Sequence, residues 1–136
     1  MQTISAINYS IFFNEKSYEF LAKVLVPNRY SKVFILVDEN TATHCLPTLL
    51  ANLATEINIE IIELEAGESH KNIETCLQLW HSLTELGGDR KSILINLGGG
   101  VISDIGGFVA CTFKRGIDFI NVPTTLLAMV DASIGG

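Results

Sequence analysis

Along the chain, near-continuous β-branched runs give way repeatedly to stretches with the spacing of a helix, and then return. Thr3 to Phe13 alternates and reads as a strand, and Lys16 to Leu25 carries a helical pattern closed by Pro27. Lys32 to Val37 (KVFILV) is almost wholly apolar, as expected of a strand buried on both faces. Asn40 is placed to cap a helix running to about Ala54, and Ile57 to Leu64 forms the next strand. Ser69 to Leu86 sets Ile73, Leu77, Trp80 and Leu83 on one helical face and stops at Gly87-Gly88, with Trp80 read as core. Ser92 to Leu97 (SILINL) is a second buried strand, and it runs straight into Gly98-Gly99-Gly100 and a helical segment. Ile117 to Val122 is a further strand broken by Pro123, and Thr124 to Met129 opens another helical pattern. Strands that alternate with helices in this way predict an α/β fold, a mostly parallel sheet covered by helices on both faces.

Composition narrows the function classes. The 136 residues, 48% hydrophobic, are enough for one domain with a real core. A net charge of -6 leaves no basic face for a phosphate backbone, so no nucleic-acid partner is expected. Three cysteines without a Cys-x-x-Cys pair fit a reducing compartment, and the first basic residue is Lys16, so a cytoplasmic address without a signal peptide is expected. Leu94 to Phe113 is long and apolar, but Asp104 at its middle and the glycine triplet argue against a membrane span. The final Ser133-Ile134-Gly135-Gly136 reads as the middle of a loop, so the chain is expected to be part of a longer protein.

A glycine turn between a buried strand and a helix presents free backbone N–H groups to an anion, aided by the helix dipole. Gly98-Gly99-Gly100-Val101 has that character, although Ser103 stands where the usual dinucleotide fingerprint would have glycine. Gly106 and Gly107 suggest close approach of a neighbouring backbone. Asp104 falls one turn into the same helix, and Asp38 with Asn40 falls at the carboxyl edge of the best strand, suited to capping or to ribose and adenine hydrogen bonds. Glu68 and Lys71 follow the next strand, three apart, as an ion pair or as ligand contacts. Lys114-Arg115 is an adjacent basic pair followed by Gly116, and Arg offers two-pronged geometry to phosphate. Thr124 and Thr125 supply hydroxyls at another helix start, while Asp131 in an apolar stretch requires a polar partner. His44, His70 and His81 lie on separate helices, and no metal ligand is assigned in this chain.

The segment from Gly98 onward, GGGVISDIGGFVACTFKRGIDFINVPTTLLAMVDASIGG, resembles the 3-dehydroquinate synthase family over some forty residues. Upstream, Asp38-Glu39-Asn40 resembles the family's Asp-x-Asn, and Gly67-Glu68-Ser69-His70-Lys71 its Gly-Glu-x-x-Lys. The resemblance implies a Rossmann-like NAD-binding α/β domain over 1–136, incomplete because the helical metal-binding C-terminal domain is absent. It implies a carbon-oxygen lyase of the shikimate pathway that converts 3-deoxy-D-arabino-heptulosonate 7-phosphate into 3-dehydroquinate and phosphate. NAD is used and regenerated within a turnover, with a zinc or cobalt ion and a homodimeric assembly in the whole enzyme. By position, Asp38 and Asn40 would meet adenosine, Glu68 and Lys71 the ribose and pyrophosphate, and Gly99, Gly100 and Val101 the pyrophosphate. Asp104 would approach the nicotinamide, and Thr124 and Thr125 would line the cofactor site. Asp131 would act catalytically on substrate hydroxyls, and Arg115 would reach the substrate phosphate across the dimer interface.

Two positions depart from the family pattern, Ser103 where glycine is common and Ala132 where serine is frequent. Glycerol and iron-dependent alcohol dehydrogenases also carry a glycine triplet and Pro-Thr-Thr, but with Ser after the triplet and a Thr-Gly-Ser-Glu soon after. Here Val101 and Leu126-Leu127-Ala128-Met129 occupy those places, which favours the cyclase. Other sugar-phosphate cyclases share most of these motifs, and a non-catalytic nucleotide-binding module is the reading from a different class. The 136 residues alone are expected to be inactive.

Overall fold

The computed structural model describes residues 3–5, 10–12, 15–67 and 72–123. Two short strands, β1 (Thr3–Ser5) and β2 (Ser10–Phe12), pair antiparallel with Thr3 opposite Phe12. The expected single strand over Thr3 to Phe13 is therefore a hairpin, in which each short strand satisfies the other's backbone groups. Helix α1 (Glu15–Val24) precedes β3 (Lys32–Asp38), whose centre is wholly buried.

The helix expected from Asn40 to Ala54 is two helices, α2 (Glu39–His44) and α3 (Leu46–Asn52). Pro47, near the start of α3, has no N–H and crowds the preceding turn, so it begins a helix but cannot continue one. The cap of α2 is Asp38 rather than Asn40, because Asp38 keeps extended backbone and its Oδ1 accepts from the Thr41 amide at 2.8 Å. Thr41 Oγ1 accepts in return from the Asp38 amide at 2.9 Å, which makes a reciprocal capping box.

Strand β4 (Ile59–Leu64) leads toward α4 (Ile73–Glu85), which is capped by Asn72 through the Thr75 amide at 3.0 Å. The buried face of α4 is Thr75, Cys76, Leu79 and Leu83; of the stripe read from the sequence Leu83 is buried and Trp80 half-buried, while Ile73 and Leu77 are 59% and 55% exposed. Trp80 packs at the margin of the core, and its indole N–H donates to Thr112 Oγ1 at 3.0 Å. Strand β5 (Ser92–Leu97) is buried at every residue and feeds α5 (Gly100–Thr112). A 3-10 turn at Phe113–Arg115 then leads into β6 (Asp118–Val122).

The four-stranded sheet has the order β4-β3-β5-β6, with all pairs parallel. Odd-numbered residues of β3 and β5 pack with Leu21, Leu25 and Leu49 of α1 and α3 on one face. Even-numbered residues pack with α4 and α5 on the other. The expected α/β architecture, helices on both faces of a parallel sheet, is therefore what the chain adopts. No helix among the described residues is long and apolar enough to cross a membrane.

Candidate functional site

Chain order reverses direction in the sheet between β3 and β5, because β4 lies to one side of β3 while β6 lies beyond β5. At such a point the loops leaving adjacent strands turn to opposite faces and open a crevice at the carboxyl edge, where open α/β sheets bind ligands. Asp38 ends β3 and Gly98-Gly99-Gly100 follows β5, so two of the sequence motifs flank this crevice.

Helix α5 begins at Gly100 with Gly99 as its cap residue, and no side chain caps it. Ser103 N–H donates to Gly99 O at 3.1 Å, so the helical bonds begin there and the amides of the preceding turn have no helical acceptor. The helix concentrates roughly half a positive charge at this end. Gly99 has φ -84°, which any residue can adopt, and a Cβ at Gly99 or Gly100 would meet nothing within 4 Å. Neither backbone strain nor protein packing therefore explains these two glycines. The space over the bare amides at this helix start is open among the described residues, which leaves the approach of an anion free. Gly98 differs, because its Cβ would crowd Ile102 at 2.9 Å and its glycine is a packing requirement. Val101 is half-buried against the core, and Asp104 is exposed on the next turn.

At the neighbouring strand end, the capping box uses Asp38 Oδ1, while Asn40 is exposed inside α2. Glu39, quoted in the motif but given no role by sequence reasoning, accepts from the Ala66 amide at 2.9 Å through Oε2. That bond ties α2 to the loop leaving β4, which passes through Gly67 at φ 125° toward Glu68. The only sequence signal was an acidic residue in a helix's first turn, which does not distinguish a loop tether from dipole compensation. Glu68, Lys71, Thr124, Thr125 and Asp131 lie outside the described residues.

Beneath α5, Gly106 meets a side chain rather than the expected neighbouring backbone. A Cβ at Gly106 would overlap the carboxamide of Asn96, and one at Gly107 would touch the Phe119 ring at 3.6 Å. Asn96 is fully buried on β5, and its Nδ2 donates to Asn121 Oδ1 of β6 at 3.0 Å, while its Oδ1 has no partner among the described residues. An unmet buried acceptor of this kind costs about 1–3 kcal/mol.

Arg115 is not brought to the crevice. It lies in the turn after α5, at the opposite edge of the sheet, and α5 spans about 20 Å at 1.5 Å per residue. Lys114 and Arg115 hold left-handed φ of 46° and 70°, followed by Gly116 at 110°. Among the described residues no group of three His, Cys, Asp or Glu is arranged to hold a metal ion.

A family model described as 3-dehydroquinate synthase N-terminal matches residues 61–136. A curated 3-dehydroquinate synthase from Parabacteroides distasonis is 47% identical over 108 residues, covering 79% of this chain and 30% of that protein. One from Campylobacter jejuni subsp. jejuni is 49% identical over 106 residues, covering 78% and 30%. The chain thus spans about 30% of the length of the curated relatives it matches. The solved structure of 2-deoxy-scyllo-inosose synthase complexed with carbaglucose-6-phosphate, NAD+ and Co2+ superposes with a TM-score of 0.72 at 22% identity, over 90% of this chain and 35% of that one. At that identity the superposition establishes the fold. The family match begins within β4 and runs through the glycine turn to Gly136, over more than half the sequence, and this chain belongs to the 3-dehydroquinate synthase family.

Proposed function

We propose that residues 1–136 form the NAD-binding domain of a cytoplasmic 3-dehydroquinate synthase, a lyase that converts 3-deoxy-D-arabino-heptulosonate 7-phosphate into 3-dehydroquinate and phosphate. The observation that carries this reading is the pairing of Asp38 with the uncapped glycine turn at the point where strand order reverses. The residues fit a dinucleotide: bare amides with open Cβ positions suit its pyrophosphate, and a strand-end carboxylate suits a ribose or adenine donor. NAD supplies a reversible hydride acceptor in such an enzyme.

In this assignment Gly99, Gly100 and Val101 hold the pyrophosphate, and Asp38 Oδ2 with Asn40 holds the adenosine end. Glu68 and Lys71 complete the ribose and pyrophosphate contacts, Asp104 approaches the nicotinamide end, and Thr124 and Thr125 line the cofactor site. Asp131 contacts substrate hydroxyls as the catalytic carboxylate of this segment. Arg115, a helix length away from the turn, serves the substrate phosphate in the site of a second copy, which makes the whole enzyme a homodimer. The divalent metal, zinc or cobalt, is held by residues of the whole enzyme outside this chain, so the 136 residues bind NAD without turning over substrate.

Amide-resolved NMR with NAD, and with NADP as control, tests this reading. Shifts centred on Asp38 and on Gly98 to Asp104 are expected with NAD. Dispersed spectra that NAD leaves unchanged would overturn the cofactor assignment. Phosphate release from the heptulosonate above blank would overturn the claim of inactivity, and assays of the complete protein with alternative sugar phosphates identify the substrate.

A further inference from the structure

The polar link between Asn96 and Asn121 lies at an unusual place. Both residues sit one position before the end of their strands, directly opposite each other in the β5–β6 ladder. One residue further, Gly98 N–H donates to Val122 O at 3.2 Å, and the two chains then separate into the glycine turn and Pro123. The carboxamide of Asn96 also sets how closely α5 approaches the sheet, because Gly106 rests on it. One side chain therefore touches the strand that delivers the turn, the strand that delivers the next loop, and the helix whose first amides form the cradle.

An aliphatic side chain at position 96 would fill this space without burying an unpaired polar group. Asn96 instead leaves its Oδ1 without a partner among the described residues. Reversing both carboxamides moves the deficit to nitrogen and does not remove it. A buried polar group that the packing does not require, one step from a ligand cradle, is where a local rule gives way to function.

We propose that Asn96 is a positioning residue for the cofactor site: through Asn121 and Gly106 it fixes how the glycine turn and the start of α5 sit against the carboxyl end of β6. The inference rests on the NAD reading above. A rigid spacing of this kind affects binding of a ligand seated on the glycine turn more than it affects folding.

The test separates the two effects with a compensated pair. Gly106→Ala alone is expected to destabilise the chain severely, because its Cβ overlaps the Asn96 carboxamide. Combined with Asn96→Ala, which empties that space, it is expected to recover a melting midpoint close to that of the unaltered chain. The double variant is nevertheless expected to bind NAD about tenfold more weakly, with shifted Gly99 and Gly100 amides before any NAD is added. Asn121→Ala, at an exposed position, removes the same bond without altering the core and is expected to weaken NAD binding similarly. Unaltered NAD affinity in either variant overturns the proposal. Failure of the unaltered chain to bind NAD overturns the functional reading, and the positioning role with it.

Discussion

The hydroxyl of Tyr30, just before β3, donates to Asp118 Oδ2 at the start of β6, a 2.6 Å bond between residues 88 positions apart. It spans the amino edge of the sheet across β5, at the end opposite the crevice. Burial, then the bond to Asp118 and the charge of that carboxylate, push the Tyr30 hydroxyl up to about 12 from an ordinary 10. The neutral hydroxyl is therefore the form that the fold favours. The unfolded chain loses this proton near pH 10 while the folded chain keeps it, so stability is complete below pH 10 and falls as pH rises toward 12. Urea midpoints measured from pH 9 to 11.5 should fall by an amount equivalent to about 2 kcal/mol, and Tyr30→Phe should remove that part of the fall.

Gly99→Ala should separate stability from binding. Its φ of -84° suits alanine and its Cβ would meet nothing, so the melting midpoint should fall by no more than the equivalent of about 1 kcal/mol, the cost of alanine in place of glycine at a helix cap. NAD affinity measured by calorimetry should drop about tenfold or more, because the methyl group stands where the pyrophosphate is expected. Equal affinity for NAD would argue that the open space has no ligand.

Asp38 and Thr41 share one capping box, so Asp38→Ala and Thr41→Val should each cost about 1 kcal/mol by chemical denaturation. Their effects on NAD should differ. Only Asp38→Ala removes a carboxylate from the crevice, and only it should weaken NAD binding beyond the loss of stability. If both variants bind NAD alike, the role of Asp38 is confined to capping.

Arg115 carries a left-handed backbone that glycine adopts without cost. Arg115→Gly should raise stability by about 1 kcal/mol, and it should leave NAD affinity unchanged because the glycine turn lies a helix length away. In the complete enzyme the same variant should lose activity, and mixed dimers with a partner inactive through Asp131→Asn should recover part of it. Absence of recovery would place Arg115 in its own subunit's site.

Much of the fold was legible because its signals are local. The unbroken apolar runs of β3 and β5 can be satisfied only by burial on both faces, and the glycine triplet after β5 marks the strand-to-helix turn by composition alone. Pro47 carried an equally local signal for the break between α2 and α3, but the apolar periodicity masked it. Other features depend on contacts distant in sequence. Whether Ile73 and Leu77 or Cys76 and Leu79 face the core depends on how α4 rotates over β4 and α5, and an amphipathic stripe with two apolar edges leaves that rotation open. Asp38 and Gly99 come to the same carboxyl edge only because β3 and β5 become neighbours, a pairing of strands far apart in the chain. The placement of Arg115 at the far edge follows from the length of α5 once its start is anchored at the turn. What local sequence settled is the alternation of strands and helices and the glycine turn after β5, since backbone propensity and burial act over a few residues. Strand order, helix rotation and the fit of Asn96 under Gly106 were decided by tertiary packing, because each is a choice between partners that local preference does not rank.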